Sequence, residues 1–337
     1  MKVIIISFLI ILTKCMELPL NLNEIKVRDL FESYYSKNKL VIKNINDIFG
    51  LTKYEHFKEW YKNYQYIKSF NIKNKNFKLN LIGPFSSINN TLYKSLLRRQ
   101  KRNLGYKQKL LNNKKYYNIT KGNENCLPTL IDYRCKYKGV RNQGHCASCY
   151  AFATVGAIEG RINLNYNILV DLSEQQVVSC SQNYGNIGCS DGLSYNSFQY
   201  IVENNLTLEK FFPYKAEDST CMDIPKYIKL TNYFNVKGHM KEAIARGPID
   251  IAMDASNPTF QLYSNGYYDE KNCYQDPDLL NHEMVAVGYG YNNGKLYYII
   301  RNSWGESWGI DGYAYVYDNI CGISSDPVEP YDPEIIS

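Results

Sequence analysis

The stretch Gln143-Gly144-His145-Cys146-Ala147-Ser148-Cys149-Tyr150-Ala151-Phe152 gathers the most reactive side chains of the chain. Cys146 and Cys149 stand three apart, and small and apolar residues follow from Ala151 to Ile158. That run reads as a buried helix. Cys149 then sits at or near a helix N-terminus, where unpaired N–H groups and the helix dipole favour negative charge. A thiolate is stabilised there, and the thiolate is the nucleophilic form of cysteine. Three chemistries fit these residues. Both cysteines are structural disulfide partners, the ordinary fate of a secreted cysteine. Alternatively, Cys146-Ala147-Ser148-Cys149 is a redox or zinc Cys-x-x-Cys with His145 as a further ligand. In the third, Cys149 is a nucleophile and Cys146 is bridged elsewhere.

The surrounding elements must position whichever chemistry holds. Leu30 to Tyr35 and Tyr54 to Phe70 have the mixed aromatic and aliphatic content of amphipathic helices. Within the second, Trp60, Asn63, Ile67 and Asn71 are spaced 3, 4 and 4 apart, on one helical face. In Leu172-Ser173-Glu174-Gln175-Gln176, Ser173 is placed as an N-cap and Gln176 as the other half of a capping box. Tyr195 to Val202 also reads as helical. From Gly247 the pattern changes. Ile249–Met253, Met284–Tyr289, Leu296–Arg301 and Tyr313–Tyr317 are strand-length runs parted by Gly and Asn turns. A helical half followed by an antiparallel β half predicts an α+β fold with a cleft between the halves.

Four motifs, in order, resemble the papain family of cysteine peptidases. The first is the Gln143–Tyr150 stretch, with Ala147 where the family has Gly. The second is Gly188-Cys189-Ser190-Asp191-Gly192, similar to the glycine-rich loop that lies along the substrate, with Asp191 in place of Gly. The third is His282 at the head of a strand, 133 positions after Cys149, inside the family range of about 130–150. The fourth is Asn302-Ser303-Trp304-Gly305 with Trp308-Gly309 close behind. The resemblance implies a papain-like fold of a helical half and an antiparallel β-barrel half. It implies a Cys149 nucleophile, His282 as base, Asn302 fixing the imidazole tautomer, Trp304 shielding that bond, and Gln143 donating to the oxyanion. Neither metal nor cofactor enters such a mechanism, so the zinc and redox readings fall away. The other histidines stay out: His56 lies far upstream, His145 is too near Cys149 in sequence, and His239 sits in a polar turn. The bridges implied are Cys146–Cys189, Cys180–Cys221 and Cys273–Cys321; Cys126–Cys135 remains as a fourth pair and Cys149 as the free thiol.

Upstream, the Trp60–Asn71 face resembles the second half of the family's propeptide helix, whereas Thr52 and His56 replace its usual Glu and Arg. Phe85-Ser86-Ser87-Ile88 with Tyr93 resembles the strand and turn that follow, with Ser87 for the usual Asp. The organisation expected is a signal peptide over 1–15, a mainly helical inhibitory propeptide over 16–122 and a peptidase domain over 123–337. The signal peptide rests on Lys2, the apolar run Val3 to Leu12, and the small Thr13 and Cys15. It is too short to span a membrane, and no later run approaches the roughly 18 apolar residues a span needs.

The chain has 337 residues, a net charge of +6 and 45% hydrophobic content, which excludes global disorder. Its charge is divided. Residues 16–122 hold 22 Lys+Arg and 7 Asp+Glu, a net of +15; residues 123–337 hold 15 and 26, a net of −11. With Lys2 and Lys14 these return the +6 of the whole. The halves are complementary, which suggests an inhibitory segment released as carboxylates take up protons. Arg98-Arg99-Gln100-Lys101-Arg102 lacks the ordered aromatics of a nucleic-acid site and reads as a cleavable linker, with Lys121-Gly122 a self-cleavage point.

For specificity, the resemblance places Asp326, five after Cys321, and Glu283, directly after His282, in the S2 pocket. Ala252, Leu193 and Ser194 complete its walls, with Asp191 and Gly192 along the substrate. An acidic S2 pocket accepts Arg or Lys at the second residue before the scissile bond. The bland reading leaves Asp326 in a solvated tail. Asn89, Asn118 and Asn205 open glycosylation sequons, which fits a secretory route to a lysosome-like compartment or the outside. The partners implied are protein or peptide substrates, the chain's own propeptide and cystatin-type inhibitors, for a monomer without nucleic acid. No paired-His insertion marks an exopeptidase, so an endopeptidase is favoured. The competing class is an inactive relative kept for binding, against which Gln143, Cys149, His282 and Asn302 all stand.

Overall fold

The computed structural model describes residues 22–97 and 127–336. Helices α1 (Leu22–Lys37), α2 (Lys39–Phe49) and α3 (Lys53–Lys73) open it. They close on a small aromatic core of Phe31, Tyr34, Ile42 and Trp60. Thr52 starts α3 with a full capping box: its hydroxyl accepts from Glu55 N, and the Glu55 carboxylate accepts from Thr52 N at 2.7 Å. Strand β1 (Phe77–Leu79) and helix α4 (Asn90–Leu96), capped by Asn89, complete this N-terminal segment.

The helical half that follows is built on α5 (Cys149–Tyr166). Every residue from Cys149 to Asn163 is buried, so the helix is covered on all sides. Tyr150, Val155, Ile158 and Ile162 join α6 (Glu174–Cys180) and α7 (Ser194–Asn204) in one core. Ala157 instead packs with Val285, Val287 and Ile299 of the sheet. One helix thereby ties both halves together.

The remaining strands are β2 (Ile131–Asp132), β3 (Ile228–Asn235), β4 (Ile249–Met253), β5 (Tyr263–Tyr268), β6 (His282–Asn292), β7 (Lys295–Arg301), β8 (Tyr313–Tyr317) and β9 (Val328–Ile335), with short helices α8 (Met240–Arg246) and α9 (Pro258–Gln261) among them. The sheet order is β1-β5-β8-β7-β6-β4-β9-β3, with β2 also on β6. All pairs are antiparallel except β5 and β8, which run parallel. The sequence expectation of an antiparallel half holds for every pair but this one, where it needs correction. The β6–β7 hairpin lies between β5 and β8 in the chain, and that crossover is long enough to return the chain in the same direction.

A second correction concerns Ser173. Its hydroxyl accepts from Gln176 N at 3.0 Å, but the Gln176 side chain does not reach back. Gln176 instead bonds Tyr200 Oη, the Asn205 carbonyl and Thr207 N, so tertiary partners outcompete the local cap.

Candidate active site

Cys149 is the first residue of α5 and is 2% exposed. The turn before it is held from two sides. Cys146 is bridged to Cys189, and Ala147 N donates to the Cys189 carbonyl at 2.9 Å. Cys146 is thus spent in a disulfide, which removes the zinc and redox readings of Cys146–Cys149. Tyr214 Oη donates to the Gln143 carbonyl and meets Ser148 Oγ at 2.7 Å. Gly192 lies flat against the Tyr150 ring; a Cβ there would come within 2.3 Å of it. The glycine-rich loop is therefore pressed beside the head of α5, and the Asp191 carboxylate accepts from Gly192 N at 2.8 Å.

His282 opens β6, the strand on which α5 packs. Its Nε2 lies 2.9 Å from Asn302 Oδ1. An amide oxygen only accepts, so Nε2 carries the proton and Nδ1 is the basic nitrogen. Trp304 stacks on the imidazole, with centroids 4.7 Å apart and planes 23° off parallel. His282 is 1% exposed, and burial pulls its pKa from 6.5 down to about 4, against the Asn302 bond, which favours the proton.

Gln143 is clamped to the same segment. Its N–H donates to the Ser303 carbonyl at 2.8 Å and its Oε1 accepts from Ser303 Oγ at 2.5 Å. Its Nε2 donates one hydrogen to the Cys146 carbonyl at 3.0 Å and keeps a second. Sequence reading missed Ser303 in this role; its place inside Asn-Ser-Trp was the available signal.

The next wall is acidic. Ser194 N donates to Glu283 at 3.0 Å, and Ser194 Oγ donates to Asp250 at 2.8 Å. Asp326 accepts from Tyr195 Oη at 2.7 Å and from Asn235 at 3.1 Å. Ala252 pairs with Glu283 across β4 and β6, and Leu193 is buried beside Ser194. Asp326 is not in a solvated tail: it is buried, held by Tyr195 and Asn235, and β9 follows it. Asp250 was missed, although a charged residue inside the apolar run Ile249–Met253 was a visible exception.

The N-terminal segment packs beside this site, on Trp304 and β5. Phe85 and Tyr93 meet Trp304 edge-on at 5.1 and 5.8 Å. Tyr93 Oη donates to the Ala255 carbonyl at 2.8 Å, and Gln261 Nε2 donates to the Phe85 and Ile88 carbonyls. β1 pairs with β5 and buries Phe77. Burying the rings of Phe77, Phe85 and Tyr93 stabilises by roughly 2–3 kcal/mol each before ordering costs. Among the described residues no ion pair joins the segment to the rest. The contacts between described residues are apolar packing and hydrogen bonds.

Cys180–Cys221 and Cys273–Cys321 are also bridged. Cys135 is exposed and forms no disulfide with another described residue; its expected partner Cys126 lies outside the described residues, as do residues 1–15, Arg98–Arg102, Asn118 and Lys121-Gly122. Asn89 caps α4 through Oδ1, and Asn205 is half-buried after α7. His239 is part-exposed beside Glu242. Among the described residues no helix is long and apolar enough to cross a membrane.

Residues 127–331 match the model of the papain family cysteine proteases. Cysteine proteinase 1 of Entamoeba histolytica is 38% identical over 278 residues, covering 79% of this chain and 85% of that protein. Procathepsin L of Rattus norvegicus is 40% identical over 215 residues, covering 59% and 64%. Among solved structures, digestive procathepsin L 3 of the Tenebrio molitor larval midgut superposes with a TM-score of 0.76 at 25% identity, covering 90% of this chain and 98% of that one. The proform of the ragweed pollen allergen Amb a 11 superposes with a TM-score of 0.75 at 26% identity, covering 91% and 95%.

Proposed function

Because the chain belongs to the papain family of cysteine proteases, we propose that Cys149, His282, Asn302 and Gln143 carry out its peptide hydrolysis. The protein is a cysteine endopeptidase made as a zymogen. His282 Nδ1 takes the Cys149 thiol proton, and the thiolate attacks the scissile carbonyl carbon. The free hydrogen of Gln143 Nε2 and the Cys149 backbone N–H receive the oxyanion. The imidazolium then protonates the leaving amine, and an acyl-enzyme forms. Water, deprotonated by the same imidazole, releases the second product and restores the thiol. Asn302 keeps Nδ1 basic throughout. The observation that carries this reading is the His282–Asn302 bond beneath Trp304, at the head of the strand on which the Cys149 helix packs.

The test is active-site labelling. Acidified protein is treated with an epoxide directed at papain-type thiols, and the adduct is mapped by mass spectrometry. Modification at Cys149 that vanishes in His282→Ala supports the assignment. No adduct on a folded, processed chain rejects it and favours an inactive binding protein.

Residues 16–122 are read as the inhibitory propeptide and 123–337 as the peptidase, with 1–15 directing the chain into the secretory pathway. A lysosome-like compartment or the outside is the destination, where Asn89, Asn118 and Asn205 carry glycans and a monomer meets cystatin-type inhibitors. The S2 pocket is assigned to Leu193, Ser194, Ala252, Glu283 and Asp326, with Asp191 and Gly192 along the substrate and Trp304 at the site's edge. Two of these residues are buried carboxylates, and Asp250 adds a third beside Ser194. That wall favours Arg or Lys over an apolar side chain.

A further inference from the structure

Removal of the N-terminal segment exposes more than the cleft. β1 is the outermost strand of the sheet and pairs antiparallel with β5, with Phe77 opposite Gly266 and Lys78 opposite Asn265. Tyr267 N donates to the Asn76 carbonyl at 2.9 Å, and Asn80 N donates to the Leu262 carbonyl at 3.0 Å. On its other side β5 is held by β8. When β1 leaves, β5 becomes the edge, and the Tyr267 N–H and the Leu262 carbonyl lose these partners. An edge with unmet donors and acceptors is a template for another extended chain.

That edge is shaped for a particular segment. Side chains alternate along β1, so Phe77 and Leu79 are buried while Lys78 turns away. Lys78 Nζ donates to the Asn71 and Asn74 carbonyls of its own segment and is not needed by β5. Phe77 lies on Tyr268 and Tyr263, with centroids 4.9 and 6.4 Å apart. Asn76 Nδ2 donates to the Asp269 carboxylate at the rim. Gly266 permits the close approach of the two backbones. Its φ is +88°, and a Cβ there would run into the Asn76 oxygen and come within 2.7 Å of Phe77 Cα. The edge therefore selects an aromatic side chain, an aliphatic one two positions later and a polar donor just before the aromatic.

β5 is also close to the chemistry. Ring to ring, Tyr263 lies 5.5 Å from Trp308, Trp308 5.2 Å from Trp304, and Trp304 4.7 Å from His282. Within the chain, a short connection joins Phe77 on β5 to Phe85 on Trp304. We propose that the β5 edge of the processed enzyme is an exosite for protein substrates: an extended substrate segment of the form Asn-aromatic-x-aliphatic takes the place of β1 while a scissile bond about ten residues away occupies the cleft. β1 itself displays the chemistry of this occupant, since it sits on the edge through the same backbone and side-chain contacts. The proposal rests on the reading of the N-terminal segment as a propeptide that is removed.

Addition of so short a strand is weak by itself. Once the cleft holds the scissile segment, however, the second contact is intramolecular, and a flexible spacer gives it a millimolar effective concentration. The gain is uniform binding, so it lowers KM and leaves kcat in place. Small substrates, which cannot reach both places, gain nothing.

The experiment folds the full-length chain, trims its N-terminal segment with an added protease and compares peptides that share one cleavage site. The anchored peptide carries Asn-Phe-Gln-Leu-Asn across a spacer of about ten Gly and Ser residues, and its control carries Asn-Ser-Gln-Ser-Asn. The tag stands before the cleavage site in one pair and after it in another. In at least one placement the anchored peptide has a KM about five- to tenfold below its control at equal kcat. Equal KM in both placements overturns the exosite. Methylating the backbone nitrogen of the last Asn, the counterpart of Asn80, removes the donor to Leu262 and keeps every side chain, so the advantage shrinks. An advantage unchanged by the methyl group is unspecific apolar binding and overturns the proposal. In Gly266→Ala the advantage is lost while the control peptide keeps its parent kinetics. An advantage that survives Gly266→Ala lies elsewhere on the enzyme and overturns the proposal; should that variant fail to fold, the methylated peptide decides. A dimer of trimmed chain that the anchored peptide does not dissociate assigns the edge to a second copy and also overturns it. Intact chain that cleaves the control peptide as fast as trimmed chain is the separate failure of the propeptide reading.

Discussion

Phe85 meets the ring of Trp304 edge-on at 5.1 Å, so the indole that stacks on His282 is covered by the N-terminal segment on its other side. One aromatic thereby links catalytic geometry to inhibition. Replacing Phe85 by Ala removes a buried ring worth about 3–5 kcal/mol and leaves a void against Trp304. Full-length Phe85→Ala should hydrolyse a small peptide substrate at neutral pH at a rate at least about tenfold above the parent. Parent-like latency in this variant would show that Phe85 does not hold the cover.

The depressed pKa of His282 predicts a difference between covered and uncovered enzyme. Burial keeps the imidazole neutral, down to about 4, and so disfavours the thiolate–imidazolium pair. Removal of the cover returns water to the site and weakens that penalty. Cys149 alkylation rates, followed against pH, should therefore show the ion pair over a wider pH range in trimmed than in intact chain. Superimposable profiles would mean that burial of His282 plays no part in latency.

Asn302 supplies the bond that leaves Nδ1 basic. Asn302→Ala should lower kcat by about ten- to a hundredfold with little change in KM, because the lost bond orients the base and does not bind substrate. An increase in KM alone would move Asn302 from the catalytic to the binding machinery.

Asp326 and Glu283 are assigned to an acidic S2 wall. Asp326→Ala should lower kcat/KM for substrates with Arg at the second position before the scissile bond by about tenfold or more, and should spare those with Leu there. Equal losses on both substrates would reduce Asp326 to a structural acid.

Stability should fall as pH rises. Arg141 is shared by Glu159, Glu174 and Glu209, at 3.4, 2.8 and 3.2 Å. One guanidinium cannot neutralise three carboxylates. Glu159 also accepts from Leu172 N and Glu209 from Tyr214 N, whereas Glu174 has, beyond the guanidinium, only its own backbone N–H, so the proton rests on Glu174. Burial, with Glu209 and Glu159 adding to it, raises its pKa to about 8 against the Arg141 charge. The folded state then holds a proton that the unfolded chain gives up above about 4.5, and stability is lost between those values at up to ~1.4 kcal/mol per pH unit. Denaturant unfolding of the Cys149→Ala protein from pH 4.5 to 8 measures this slope, and Glu174→Gln should flatten it. A slope unaffected by that change would place the proton elsewhere.

The sequence by itself determined the chemistry, because its signals are local. A helix start after Cys149, a strand head at His282 and the run Asn302-Ser303-Trp304 each carry their meaning within a few residues. The strands Ile249–Met253 and Tyr313–Tyr317 were legible for the same reason, since alternation and apolar runs are short-range patterns. What joins distant segments was decided only in three dimensions. The parallel β5–β8 pair depends on how the chain returns after the β6–β7 hairpin, and Gln176 left its cap for partners on α7 and beyond. His56 looked like a misplaced residue in a diverged helix. Its surroundings were set only when Asn46 and Ser87, ten and thirty-one positions away, closed around it. Burial of a titratable group is a property of everything packed around it, and no window of sequence contains that.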